Sequence, residues 1–66
     1  GNEIVILWFE SKKVEVLSYT LKFVAAQNYS DVKKIGASGN SVVLYFNSGK
    51  VEVRDKNLKF ISSWYQ

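Results

Sequence analysis

The chain has 66 residues, contains no Cys and no His, and carries a formal net charge of +3 from nine Lys or Arg against six Asp or Glu. This length allows one domain at most, and without Cys or His the chain lacks disulfides and the commonest zinc ligands, so oligomerisation is the remaining common way to stabilise so small a core. The charges are dispersed as on an ordinary solvated surface, and no run resembles a membrane span or a signal peptide, so we expect a soluble chain that makes no membrane contact.

The first part of the chain predicts three strands. Residues 4–9 are continuously apolar, and such a run is typical of a strand covered on both faces. Residues 13–16 alternate, which places two Val on one face and the charges on the other. Residues 21–25 alternate again, with Leu21 and Phe23 pointing the same way.

A linker at residues 30–40 separates this part from the next. Its apolar residues are Val32 and Ile35, and Ser38, Gly39 and Asn40 form a turn at its end. Ser30 and Asp31 could cap a single helical turn, but so short a helix would have little to hold it. We therefore predict a fourth strand over residues 32–37.

The second part repeats the first at a spacing of 37 residues. Residues 4–29 lie over residues 41–66 without a gap, and eleven of the 26 pairs are identical, where unrelated segments would give roughly two. The repeat predicts three more strands, at residues 42–46, 50–53 and 58–62. The chain therefore divides into a first repeat over residues 4–29, a linker strand within residues 30–40 and a second repeat over residues 41–66. The identical pairs are Val5/Val42, Leu7/Leu44, Phe9/Phe46, Ser11/Ser48, Lys13/Lys50, Val14/Val51, Glu15/Glu52, Val16/Val53, Leu21/Leu58, Lys22/Lys59 and Phe23/Phe60.

The turns are also related by the repeat. Gly49 can take a positive φ in a short hairpin turn, whereas its equivalent Lys12 lacks that freedom, so the first turn is strained or of another type. Asp55 can accept hydrogen bonds from the backbone ahead of it, and Asn57 tolerates the left-handed region. The turn at residues 18–20 is the weaker counterpart of the turn at residues 55–57.

Residues 31–55, DVKKIGASGNSVVLYFNSGKVEVRD, resemble a β-propeller blade of the WD-repeat type. Such blades read as V-x-x-I, a small-residue turn, an apolar strand, a hairpin with Gly and an alternating strand that ends in Trp-Asp. Arg54 and Asp55 occupy that last pair, so the Asp fits and the Trp does not. The resemblance implies four-stranded antiparallel blades arranged around an axis.

The strand count bears on assembly. Three strands followed by four make fewer than two blades, and propellers usually need at least four blades. The fold class predicted here is all-β, with two tandem blade-like meanders that belong to a larger or oligomeric propeller. The alternative is a small duplicated β-barrel or sandwich that is complete by itself.

Catalysis is not expected, because the chain lacks the commonest general bases and nucleophiles. Glu15 and Glu52 each follow a Lys two residues earlier on the same strand face, a spacing that predicts solvated or cross-strand charge pairs rather than a catalytic dyad. We predict no cofactor and no metal site.

The aromatic residues are the candidates for binding. Those at paired positions, Phe9, Phe46, Phe23 and Phe60, are predicted to be core residues. Trp8 and Tyr45 are also at paired positions, and they lie either in the core or at a ligand groove or chain-chain interface. The remaining Trp and Tyr residues lie in turns or at the end of the chain, where they could contact a protein, a sugar or a base. The candidate binding residues are Trp64, Tyr65, Tyr19, Tyr29, Trp8 and Tyr45.

The function that these features favour is an interaction or scaffold module that binds a protein partner or associates with itself. Two alternatives stay open at this point: a carbohydrate-binding module that uses exposed Trp and Tyr, and a small basic β-barrel that binds nucleic acid.

Overall fold

A computed structural model describes residues 3–66 and confirms the all-β prediction. Seven strands form two separate antiparallel sheets, a first sheet in the order β1-β2-β3 and a second sheet in the order β4-β5-β6-β7. Neither sheet closes into a barrel within residues 3–66. The strands are β1 (Ile4–Trp8), β2 (Lys13–Ser18), β3 (Phe23–Asn28), β4 (Val32–Ser38), β5 (Ser41–Phe46), β6 (Lys50–Arg54) and β7 (Phe60–Tyr65).

The linker strand is present as β4, where it pairs with β5 and gives the second sheet its fourth strand. The other strands follow the repeat, so that β1, β2 and β3 are the equivalents of β5, β6 and β7. Within residues 3–66 no helix is long and apolar enough to cross a membrane.

The first hairpin turn of each repeat has the same backbone geometry. Lys12 has a φ of 77° and its equivalent Gly49 a φ of 93°. The amide of Lys12 donates to the carbonyl of Phe9 at 2.9 Å, and the amide of Gly49 donates to the carbonyl of Phe46 at 3.0 Å. The first repeat therefore keeps the turn despite the steric strain of a left-handed Lys.

The second turn of each repeat moves the start of the third strand. Leu21 and Leu58 take positive φ values of 67° and 63°, so the left-handed residue is Leu58 and not the predicted Asn57. Both leucines therefore belong to turns, and the third strands begin two residues later than predicted. Asp55 stabilises its turn as predicted, because its Oδ1 accepts hydrogen bonds from the amides of Asn57 and Lys59 at 2.8 and 2.9 Å.

The core lies between the two sheets. Partly buried side chains of β1, β3, β4 and β5 pack against it, including Ile6 and Phe46. The phenylalanines only partly follow the prediction, since Phe9, Phe23 and Phe60 are exposed and the prediction of a core position for them is wrong. The buried residues that form the core are Val14, Val16, Tyr29, Val32, Val42, Leu44 and Leu58.

Candidate functional site

Each sheet has an inner face that meets the other sheet and an outer face that points away from it. Residues directly opposite each other on neighbouring strands share a face. In the first sheet Ile6, Val16 and Ala25 are opposite one another, and the burial of Val16 in the core marks this face as the inner one. In the second sheet Leu44 lies opposite Glu52 and is buried in the core, so these two residues lie on the inner face.

Equivalent residues of the two repeats lie on opposite faces of their sheets: a residue on the inner face of one sheet has its equivalent on the outer face of the other. Leu44, on the inner face of the second sheet, is the equivalent of Leu7, which lies opposite Glu15 on the outer face of the first sheet. Conversely Val16, on the inner face of the first sheet, is the equivalent of Val53, which lies opposite Val43 on the outer face of the second sheet. The two sheets therefore stack in the same orientation, with the front of one against the back of the other.

The outer face of the first sheet carries the side chains that the second sheet buries. Leu44 is 0% exposed and its equivalent Leu7 is 37% exposed. In the turns before the third strands the same difference holds, since Leu58 is 4% exposed and its equivalent Leu21 is 66% exposed. Val42 is fully buried, and its equivalent Val5 is half-buried. This face is thus an apolar surface whose equivalent in the second sheet is covered.

Polar contacts recur on the same face. The Nζ of Lys13 lies 3.3 Å from Glu15 and 5.1 Å from the ring centre of Phe9. In the second sheet the Nζ of Lys50 lies 2.9 Å from Glu52 and 5.8 Å from the ring centre of Phe46. Each Glu therefore forms an ion pair with the Lys two residues before it, within one strand and not across strands as the prediction allowed. The Lys, Glu and Phe side chains on the outer face of the first sheet thus have the same arrangement as their equivalents on the second sheet, which face the first sheet.

The outer face of the second sheet is the complementary surface. Val43 and Val53 are half-buried there, and Val51 is 1% exposed between Tyr45 and Trp64 in the strand register. Val51 is absent from the core cluster between the sheets, in agreement with its position on the outer face. Val14 and Val16 are the equivalents of Val51 and Val53 on the first sheet, and both are buried in the core between the sheets.

Glu52 departs from the prediction of a solvated charge. It is 5% exposed, and its Oε1 lies 2.6 Å from an amino nitrogen of Arg54 while its Oε2 lies 2.9 Å from Lys50. Burial by itself raises the pKa of this carboxyl, but the hydrogen bonds from Lys50 and Arg54 outweigh burial and hold the pKa below its usual value. The same hydrogen bond to Glu52 raises the pKa of Lys50.

Replacing Glu52 with Gln is expected to lower the free energy of unfolding by about 1–3 kcal/mol, because two cations lose their buried partner. Glu15→Gln is the matched control and should change it by less than about 0.5 kcal/mol, since Glu15 is more exposed and the first repeat has Leu17 in place of Arg54.

The depressed pKa of Glu52 adds a pH signature. Its stabilising contribution is present above the unfolded-state pKa of roughly 4.3 and is lost as the pH falls through the lower folded-state pKa. The stability difference between wild type and Glu52→Gln should therefore shrink below about pH 4 in urea unfolding measurements. Equal effects of the two Gln substitutions at pH 7 would show that burial does not distinguish the two carboxylates.

Comparison of the chain with protein-family models, with curated proteins and with solved structures finds no match.

The predicted binding aromatics do not form one patch. Trp64 and Tyr45 lie on the outer face of the second sheet, where the Nζ of Lys34 sits 5.3 Å from the ring centre of Tyr45. Tyr65 is 70% exposed at the end of β7, and Tyr19 lies in the turn between β2 and β3. The structure thus brings Tyr45 and Trp64 to one surface and disperses the others.

Trp8 has a different position from its equivalent Tyr45. It is 45% exposed on the inner face of the first sheet, at the free edge of that sheet. Together with Ile6 and the β4 residues Ile35, Gly36 and Ala37, it lines a groove of about 330 Å³.

Tyr29 lies in the core, unlike the other predicted binding aromatics. It is 7% exposed, and the guanidinium carbon of Arg54 lies 5.5 Å from its ring centre. Burial raises the pKa of its hydroxyl, which has no hydrogen-bond partner among the described residues. Tyr29 lies beyond the predicted third strand at residues 21–25, where periodicity no longer shows which way a side chain points.

The residues that the sequence interpretation missed are the outer-face valines and leucine: Leu7, Val43 and Val53. A signal for them was present, because β1 and β5 are apolar at successive positions and therefore have an apolar face on each side. Because the two sheets stack front to back, each sheet covers only one face of the other, and the outer apolar face of each sheet stays uncovered.

Proposed function

We propose that the chain is a non-catalytic interaction or scaffold module, built from β-propeller-like repeats that join by stacking front to back. The observation that carries the proposal is the exchange of faces by the repeat. The outer face of the first sheet is equivalent to the covered face of the second, and the outer face of the second is equivalent to the covered face of the first.

Stacking of this kind continues beyond two sheets. A second copy can place its second sheet's outer face, with Val43 and Val53, against the first sheet's outer face, with Leu7. The interface between the two copies would repeat the apolar contact that already exists between the two sheets of one chain. Contacts of this head-to-tail type form closed rings when the rotation between units permits and filaments when it does not.

A ring is the arrangement that this proposal favours. Propellers usually contain four to eight blades, so two sheets per chain correspond to about two to four copies. The protein partner is then a second copy of the chain or another protein that presents an equivalent blade. The proposal includes no membrane contact, no cofactor and no catalytic group.

Light scattering coupled to size exclusion tests the proposal. We expect a mass of about two to four times the 7.5 kDa of one chain, because both apolar faces are then covered. Tyr19→Ser is the control, since Tyr19 is 66% exposed in a turn outside both faces and should leave the mass unchanged. A chain that stays a folded monomer up to millimolar concentration would contradict self-association.

A further inference from the structure

The free edge of β1 differs from the other strand edges. β3 and β7 are equivalent by repeat and each lies at the edge of its sheet, and β4 is the edge strand on the other side of the second sheet. β1, however, is the equivalent of β5, which lies between β4 and β6. Among the strands of residues 3–66, only β1 is an edge strand whose equivalent is internal.

The sequence of β1 is also that of an internal strand. Natural edge strands are protected by charged residues, Pro, bulges or short length. β1 reads IVILW without a charge or a Pro, and its pairing with β2 has no bulge. The neighbouring edge strand β4 does carry charges, at Lys33 and Lys34, and a register shift. The edge of β1 therefore has the features of a strand that is paired on both sides.

A groove opens between β1 and β4, beside the edge of the first sheet. It has a volume of about 330 Å³, and its lining combines Ile6 and Trp8 of β1 with Ile35, Gly36 and Ala37 of β4. Ile35 and Ala37 lie on the inner face of the second sheet, because they are opposite Leu44 and Val42. A strand added to β1 would cover this part of β4 as β2 covers the central strands.

We infer that the edge of β1 accepts an extended peptide segment as a fourth, antiparallel strand of the first sheet. Such a contact is backbone pairing at a strand edge and is separate from the stacking of faces. Main-chain hydrogen bonds provide affinity in this mode of recognition, and pockets for alternate side chains provide specificity.

The pairing of β4 with β5 specifies the chemistry of the segment. Opposite Val42, Val43 and Leu44 the second sheet has Ala37, Gly36 and Ile35. The equivalents on β1 are Val5, Ile6 and Leu7, so the accepted segment has a small residue, a second small residue and an aliphatic residue opposite them. A basic residue opposite Trp8 would repeat the contact of Lys34 with Tyr45 at 5.3 Å from the ring centre.

A synthetic peptide with the sequence of residues 31–39 is the probe. The protein carries Val43→Lys, which blocks stacking on the far side of the second sheet, and Trp64→Phe, which leaves Trp8 as the one Trp of the chain. We expect a saturable change in Trp8 fluorescence and slower amide hydrogen exchange at β1. Because stacking is blocked in this variant, the result does not depend on whether the proposed self-association is correct.

Two N-methylated peptides distinguish strand pairing from nonspecific association of the peptide with the protein surface. One is methylated at the positions of Lys34 and Gly36, the other at those of Ile35 and Ala37. Only alternate residues of an added antiparallel strand bond to the edge, so one peptide should bind about tenfold more weakly or worse while the other retains more of its affinity. Ala37→Lys in the protein should also weaken binding about tenfold, because exposed Ala37 lines the groove.

Three results would overturn the inference. The first is the absence of any saturable change in Trp8 fluorescence at millimolar peptide. The second is equal binding of the two methylated peptides. The third is protection from exchange at β3, β4 or β7 in place of β1.

Discussion

Val16→Asp is expected to unfold the protein, whereas Val53→Asp should leave a folded chain. The sequence interpretation treats the two positions as equivalent, and the repeat supports that equivalence. In the structure, however, Val16 is 0% exposed between the two sheets, and Val53 is half-buried on the outer face of the second sheet. An Asp at position 16 would bury a carboxylate among apolar core side chains, and the cations on the facing side of the second sheet, Lys50 and Arg54, are already paired with Glu52.

The expected loss of unfolding free energy is several kcal/mol for Val16→Asp, which is a large share of the stability of so small a domain. For Val53→Asp it is about 1 kcal/mol in the monomer, because water still reaches the new carboxylate. Urea unfolding followed by circular dichroism, at one protein concentration, measures both. If Val53→Asp unfolds a monomeric chain as completely as Val16→Asp, the assignment of inner and outer faces is wrong.

The difference between these two positions shows where the sequence stops being informative. Alternation at residues 50–53 places Val51 and Val53 together on one face, and the structure agrees. It cannot say which face of the second sheet meets the first, because β5 offers Val42 and Leu44 on one side and Val43 and Tyr45 on the other. That choice depends on how the sheets stack, and stacking is a property of the folded chain.

Local features were predictable to a greater extent. The positive φ of Gly49 and the hydrogen bonds to Asp55 follow from residue type, because only some side chains suit those turns. The left-handed Leu21 and Leu58 were not predictable, since Leu disfavours that conformation and the turn imposes it. Composition singled out Tyr45 and Trp64 as candidates, and the structure places both on the outer face of the second sheet. Leu7 was missed because it was assigned to a strand covered on both faces.

The most direct test of front-to-back stacking is a mixture of two variants. Leu7→Lys damages the outer face of the first sheet, and Val43→Lys damages the outer face of the second. Each variant alone has only one intact face, and two intact faces of the same kind do not fit each other in a head-to-tail contact. Each is therefore expected to be a monomer by light scattering. An equal mixture is expected to give a dimer of twice 7.5 kDa, since one intact face of each kind is then available.

The choice of Lys at both positions keeps the test specific. Leu7 lies opposite Glu15, so a Lys there has a partner within its own sheet and the fold is retained. Because both new charges are positive, the two damaged faces repel and cannot replace the intact pair. A symmetric contact between identical faces predicts a different pattern: one variant would still dimerise with itself, and mixing would add no heterodimer. The head-to-tail contact would be excluded by that pattern. It would also be excluded if the two variants stayed monomeric in the mixture.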